Sequence, residues 1–105
     1  MVVGNLFFIT CFEKIETDKL GWLDMGDSRV FGFKETYEQA ERALNENSCD
    51  MFECLYRYAV VEKMSPAIHP DVEGRWFFKW DESKHGFFQM DEPKEFANYC
   101  NIALG

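Results

Sequence analysis

Residues 75–80 read Arg75-Trp76-Phe77-Phe78-Lys79-Trp80, and after a short polar break Gly86-Phe87-Phe88-Gln89-Met90 answers them. The two stretches read as the strands of a hairpin with residues 81–85 as its connection. They hold two of the three tryptophans and four of the eleven phenylalanines. Each ring removes roughly 150–250 Å² from water when buried, so a core must form around this hairpin and the rest of the chain must cover it. Alternation puts Trp76, Phe78 and Trp80 on one face and Phe77 and Lys79 on the other. One face must meet helices. The other is either roofed by loops or open as a platform for a partner.

The remaining chain has the means to build that cover. With 105 residues, 47% hydrophobic and 17% aromatic, it can bury one core and is too rich in rings for disorder. Residues 3–13 are apolar on both parities, as expected of a strand covered on both faces and away from a sheet edge. Residues 14–28 form a long connection with turn chemistry at Gly21 and Gly26, and Trp22 inside it reads as a plug over the core or as a functional aromatic. Arg29 to Lys34 alternates as a second strand, antiparallel to the first, with Gly32 marking a bulge or a close approach.

The period then changes. Thr36 and Gln39 have capping-box spacing, and Tyr37, Ala40, Ala43 and Leu44 follow at helical intervals, so residues 37–46 are expected to be an amphipathic helix. Asp50 and Glu53 repeat the capping spacing and suggest one further helical turn. Residues 56–63 read as a strand, and Ser65-Pro66 and His69-Pro70 bracket a loop. After the aromatic hairpin, Asp91-Glu92-Pro93-Lys94 looks like a helix start, with Phe96, Tyr99, Cys100 and Ala103 on one face. The expectation is one α+β domain over residues 1–105. Its sheet is mostly antiparallel and five-stranded, with two helices packed on one face, in the order β-β-α-β-β-β-α.

Charge and motif content narrow the chemistry. Eleven basic against nineteen acidic residues give −8, a field that repels nucleic acid and anionic membrane surfaces alike. No basic region precedes the first apolar run, which is too short to span a bilayer, so a cytoplasmic location with reduced thiols is expected. Cys11, Cys49, Cys54, Cys100, His69 and His85 do not fall at zinc-ligand spacings, so no metal or other cofactor is expected. There is no G-x-S-x-G elbow and no phosphate-cradling glycine loop. The expected catalytic residues are none, and the chain reads as a non-enzymatic binding module.

The most uneven feature is residues 35–54, where six acids face one base, Arg42, for a local charge of −5. Glu38, Glu41, Glu46 and Asp50 are the expected members of an acidic ridge, with Glu53 beside them. A plain solvated helix face explains such a run, and Glu38 with Arg42 at i, i+4 is ordinary helix chemistry. The functional alternative is a line of carboxylates that steers onto a basic protein surface, as a nucleic acid's phosphates would.

The sequence Arg29-Val30-Phe31-Gly32-Phe33, then Thr36-Tyr37-Glu38-Gln39-Ala40, then Leu55-Tyr56-Arg57-Tyr58-Ala59-Val60-Val61-Glu62, then Trp76-Phe77-Phe78-Lys79-Trp80, resembles a pattern in small uncharacterised proteins of Gram-positive bacteria, their phages and mobile elements. The likeness spans residues 29–80 and rests on structural positions, with no catalytic or binding residues to carry over. It implies a cytoplasmic origin and a place in phage–host conflict. The expectation is then an acidic inhibitor of a host nucleic-acid-binding defence protein, in the manner of anti-CRISPR or anti-restriction proteins. Glu38, Glu41, Glu46, Asp50 and Glu53 meet the partner's basic surface, and Trp76 and Trp80 anchor it. The alternative is a small-ligand or nucleotide-binding domain with Trp22, Trp76 or Trp80 as a stacking wall.

Overall fold

The computed structural model describes residues 4–65, 72–97 and 102–103. Its centre is a five-stranded antiparallel sheet of β1 (Leu6–Phe12), β4 (Ser28–Lys34), β5 (Tyr58–Met64), β6 (Val72–Asp81) and β7 (Gly86–Met90). The order across the sheet is β4-β1-β5-β6-β7. β1 is thus an interior strand, as its two apolar parities require. The aromatic hairpin is β6–β7, paired from Phe77 opposite Met90 to Asp81 opposite Gly86. Between β1 and β4 the register slips: Ile9 faces Gly32 and Thr10 faces Val30, which leaves Phe31 as the extra residue of a bulge. Gly32 has a φ of +121°, which only glycine adopts without strain.

One α-helix, α1 (Tyr37–Asn45), covers the first face. The Thr36 hydroxyl accepts the Gln39 amide at 3.2 Å, while the Gln39 side chain reaches one residue past the cap, to the Glu35 amide at 3.2 Å. Its buried residues are Ala40, Ala43 and Leu44, and the two alanines let the backbone come close to the sheet. At the end of α1 the approach is closer still. A Cβ on Gly86 would lie 2.0 Å from the Asn45 carbonyl oxygen, so the start of β7 admits only glycine. This face buries Ile9, Cys11, Val61, Phe78, Trp80 and Phe87 under α1 and under Met51, Phe52 and Tyr56 of the segment that follows it.

No second α-helix lies beside it among the described residues, which corrects the two-helix expectation. Pro93 is extended (φ −65°, ψ 136°), and only a single 3₁₀ turn, Lys94–Phe96, follows it. The expected helical positions Tyr99 and Cys100 lie outside the described residues. Beyond them, the Ile102 and Ala103 amides donate to the Glu62 carboxylate at 2.9 and 2.8 Å instead of to helical carbonyls. The loop expected around Pro66 and His69 also lies outside the described residues.

Two other segments differ from expectation. Residues 14–28 contain a small hairpin, β2 (Glu16–Thr17) and β3 (Leu23–Asp24), absent from the expected order. Residues 47–55 do not make the helical turn suggested by Asp50 and Glu53. Asn47, Cys49, Asp50, Glu53 and Cys54 all have positive φ, and a 3₁₀ turn spans Ser48–Asp50. Asn47 organises this turn instead: its side-chain oxygen accepts the Phe52 amide at 2.9 Å and its side-chain nitrogen donates to Asp50.

The second face of the sheet buries Phe12, Val60, Phe77 and Phe96. Its roof is Ile15, Leu23 and Met25 from the β1–β4 connection, with Ile102. The aromatic strand is therefore covered on both sides, by a helix on one and by irregular chain on the other. Glu62 is fully buried on this second face, 2.9 Å from the Arg75 guanidinium across the strand pair. The Ile102 and Ala103 amides complete its shell, so the carboxylate clasps distant chain to the sheet.

Candidate functional site

The β2–β3 hairpin is docked at its base and bare at its tip. Ile15, Leu23 and Met25 pack on the second face of the sheet, and Lys14 reaches Asp24 at 3.1 Å. Asp24 is held below the usual carboxylate range by the Gly26 amide and by Lys14, while Lys14 is raised by its bond to Asp24. The Glu13 and Lys14 amides bond back to the Met25 carbonyl and fix the entry. At the other end Asp18 organises the turn. Its carboxylate accepts the Leu20 amide at 2.8 Å and the Trp22 amide at 2.9 Å, and its carbonyl accepts the Gly21 amide.

This small locked turn points two large apolar side chains at solvent: Leu20 is 82% exposed and Trp22 70%. An isolated exposed leucine is unremarkable on a protein surface. A leucine and a tryptophan side by side on a turn with fixed amides form a preorganised anchor. The backbone that carries them has little freedom left to lose on binding, and tryptophan leads the residues that dominate interfaces. Asp18 and the exposed Lys19 flank the pair at the tip, while Glu16 and Asp24 lie at the other end of the hairpin with Lys14.

The sequence-predicted site residues lie elsewhere and do not form one ridge. At about 100° per residue, Glu38 points away from the sheet, with Glu41 about 60° to one side and Glu46 about 80° to the other. Glu41 is half-buried and lies 3.2 Å from the Tyr37 hydroxyl, on the β7 side. Burial and this carboxylate push the Tyr37 phenol up to about 12. Glu46 lies on the β4 side with Lys34 and Arg42. Asp50 sits in the left-handed turn beside Asn47, and Glu53 is 2.8 Å from Arg29 of β4. Trp76 is half-buried between Phe7 and Tyr37. Trp80 is only 7% exposed and stacks flat on Phe52, centroids 3.8 Å apart. It is core and cannot anchor a partner from the folded surface.

No protein-family model, curated protein or solved structure matches this chain. Its chemistry must be taken from its own side chains. Cys11 is buried, and desolvation pushes its thiol up to about 12, which makes it inert at neutral pH. Cys49 and Cys54 are free and exposed. Among the described residues no three acidic, histidine or cysteine side chains are grouped to hold a metal ion, and no helix is long and apolar enough to cross a membrane.

Sequence reasoning left Trp22 open as a plug or a functional aromatic and did not single out Leu20. The available signal was local. An aspartate two residues before Leu20 and three before a glycine is turn chemistry, and Leu-Gly-Trp inside such a turn has no strand or helix to bury it.

Proposed function

We propose that this chain is a non-enzymatic protein-binding module whose anchor is the Leu20–Trp22 tip. The exposure of both side chains on a turn fixed by Asp18 carries the reading. The overall charge of −8 favours a partner with an apolar pocket set in a basic surface. Glu38, Glu46 and Asp50, exposed on and after α1, add to the field that brings such a surface in. A host protein that holds nucleic acid has a surface of that kind. The resemblance to proteins of phages and mobile elements therefore favours an inhibitor of such a protein. The ligand-stacking alternative keeps Trp22 as its one exposed indole.

The test is affinity capture from a Gram-positive lysate, at low and high salt, with the native chain beside the Leu20→Ala/Trp22→Ala variant. The expected result is a protein retained by the native chain, lost by the variant and weakened by salt. Truncating an interface tryptophan costs about 2 kcal/mol or more, roughly thirtyfold in affinity. Equal capture by both forms, or capture of nothing by either, overturns the reading. A saturable change in Trp22 emission with free nucleotide would replace it with the ligand alternative.

A further inference from the structure

The bulge in β4 leaves a hole beside α1. Where the register slips, the chain takes in Phe31 as an extra residue and passes through Gly32 at a φ of +121°. Gly32 stands opposite Ile9, and nothing lies within 4 Å of where its Cβ would be. Any other residue is strained at that φ, so no side chain of β4 grows into the space. Across from it α1 presents only the methyl of Ala43. The chain after α1 closes a third side: Asn47, Cys49 and Asp50 turn it left-handed and bring Cys49 and Met51 against the hole. The result is a cavity of about 150 Å³ that the backbone itself keeps unfilled.

Its chemistry selects an occupant. Ile9, Phe31, Ala43 and Met51 supply apolar walls, and the more exposed Lys34, Ser48 and Cys49 stand at the mouth. Lys34 is the one charged residue of the lining, and Glu46 shares the adjoining hollow with it, so the mouth rewards neither sign of charge. An apolar cavity of this volume takes a group the size of benzene. It is well short of the roughly 300 Å³ or more that holds a drug-sized ligand. The walls favour a ring over an aliphatic chain. A thioether such as that of Met51 gains from lying against an aromatic edge, and a ring such as that of Phe31 packs edge-on or offset against another. The half-buried Ser48 hydroxyl can bond one polar substituent on that ring.

We propose that this cavity binds a small uncharged aromatic molecule of the phenol class, its ring over Gly32 between Ala43 and Met51 and its hydroxyl at Ser48. The site lies on the helix face of the sheet, whereas the β2–β3 hairpin docks on the other face. It uses neither Leu20 nor Trp22 and stands independently of a protein bound at the tip.

The probe is phenol, titrated into the intact protein with isotope-labelled methionine methyls and followed by NMR. Met51 lines the cavity, whereas Met25 and Met90 pack on the opposite face of the sheet and serve as internal controls. The expected result is a saturable ring-current shift of the Met51 methyl, assigned through Met51→Leu, with Met25 and Met90 unmoved. A second measurement blocks the mouth without altering the core. In a Cys54→Ser/Cys100→Ser chain, where Cys11 is buried, benzyl methanethiosulfonate places a benzyl disulfide on the exposed Cys49, and dithiothreitol removes it. The label should weaken phenol binding about tenfold or more, and reduction should restore it. A Met51 methyl that stays in place up to the solubility limit of phenol, equal shifts at Met25 and Met90, or binding that the label leaves unchanged overturns the proposal.

Discussion

The molecule has two hairpins that carry tryptophan, and they use it in opposite ways. β6–β7 is long and lies across the sheet, so Trp80 is pressed between Phe52 and Phe87, with its indole nitrogen donating to Glu82. β2–β3 has two residues per strand, and Trp22 sits at a tip that nothing described covers. The residue type is the same. What differs is whether the strand beneath it has neighbours on both sides. A tryptophan in an interior strand becomes packing, and one in a turn held by a single aspartate becomes surface that a partner can use.

Truncation at the first hairpin should break this contrast most visibly. Trp80→Ala removes the ring stacked on Phe52 and is expected to cost about 3–5 kcal/mol in denaturant unfolding. A loss below about 1 kcal/mol would mean that the stack contributes little and that the hairpins differ less than their burial implies.

Alkali should act next, and on one region only. The Cys11 thiol and the Tyr37 phenol both rise to about 12 in the fold, chiefly through burial, from ordinary values of 9.0 and 10.0. A raised folded pKa means that the unfolded chain loses its protons first. The stabilisation is present below pH 9 and is lost as pH climbs from 9 towards 12. The Cys11 share is on the order of a few kcal/mol, and the half-buried Tyr37 adds less because solvent screens it. Unfolding free energy measured across that range should fall, and Cys11→Ala should flatten the early part of the slope. A flat profile in the native chain would contradict the burial of Cys11 beneath α1 and the partial burial of Tyr37 at its start.

The smallest effect belongs to the tip. Trp22→Ala should change stability by no more than about 0.5 kcal/mol, because the ring touches little that folding needs. It should still remove the most water-exposed component of the tryptophan emission. A large drop in stability would return Trp22 to the role of a plug.

Much of this contrast was legible in the chain and part was not. The aromatic hairpin, the bulge at Gly32, the interior position of β1 and the Thr36 cap all follow from alternation, glycine placement and capping chemistry, which are local. The failures lie where distant chain decides. The Ile102 and Ala103 amides look like helical donors until Glu62, forty residues away, claims them. Asp50 and Glu53 have capping spacing, but Asn47 turns the chain left-handed before they can use it. The acidic run is real in composition, yet the turn of α1 and the pull of Arg29 on Glu53 scatter it in space. Trp22 was the reverse case: its role depends on its having no neighbour, which no spacing rule reports.

The clasp at Glu62 also sets an order of events for a chain leaving the ribosome. The carboxylate enters the sheet with β5, and β6 brings Arg75 thirteen residues later. The two amides that complete its shell belong to residues forty and forty-one positions downstream. Until those two amides arrive, Arg75 is the partner the Glu62 carboxylate has, and the part of the second face's roof that Ile102 supplies is missing.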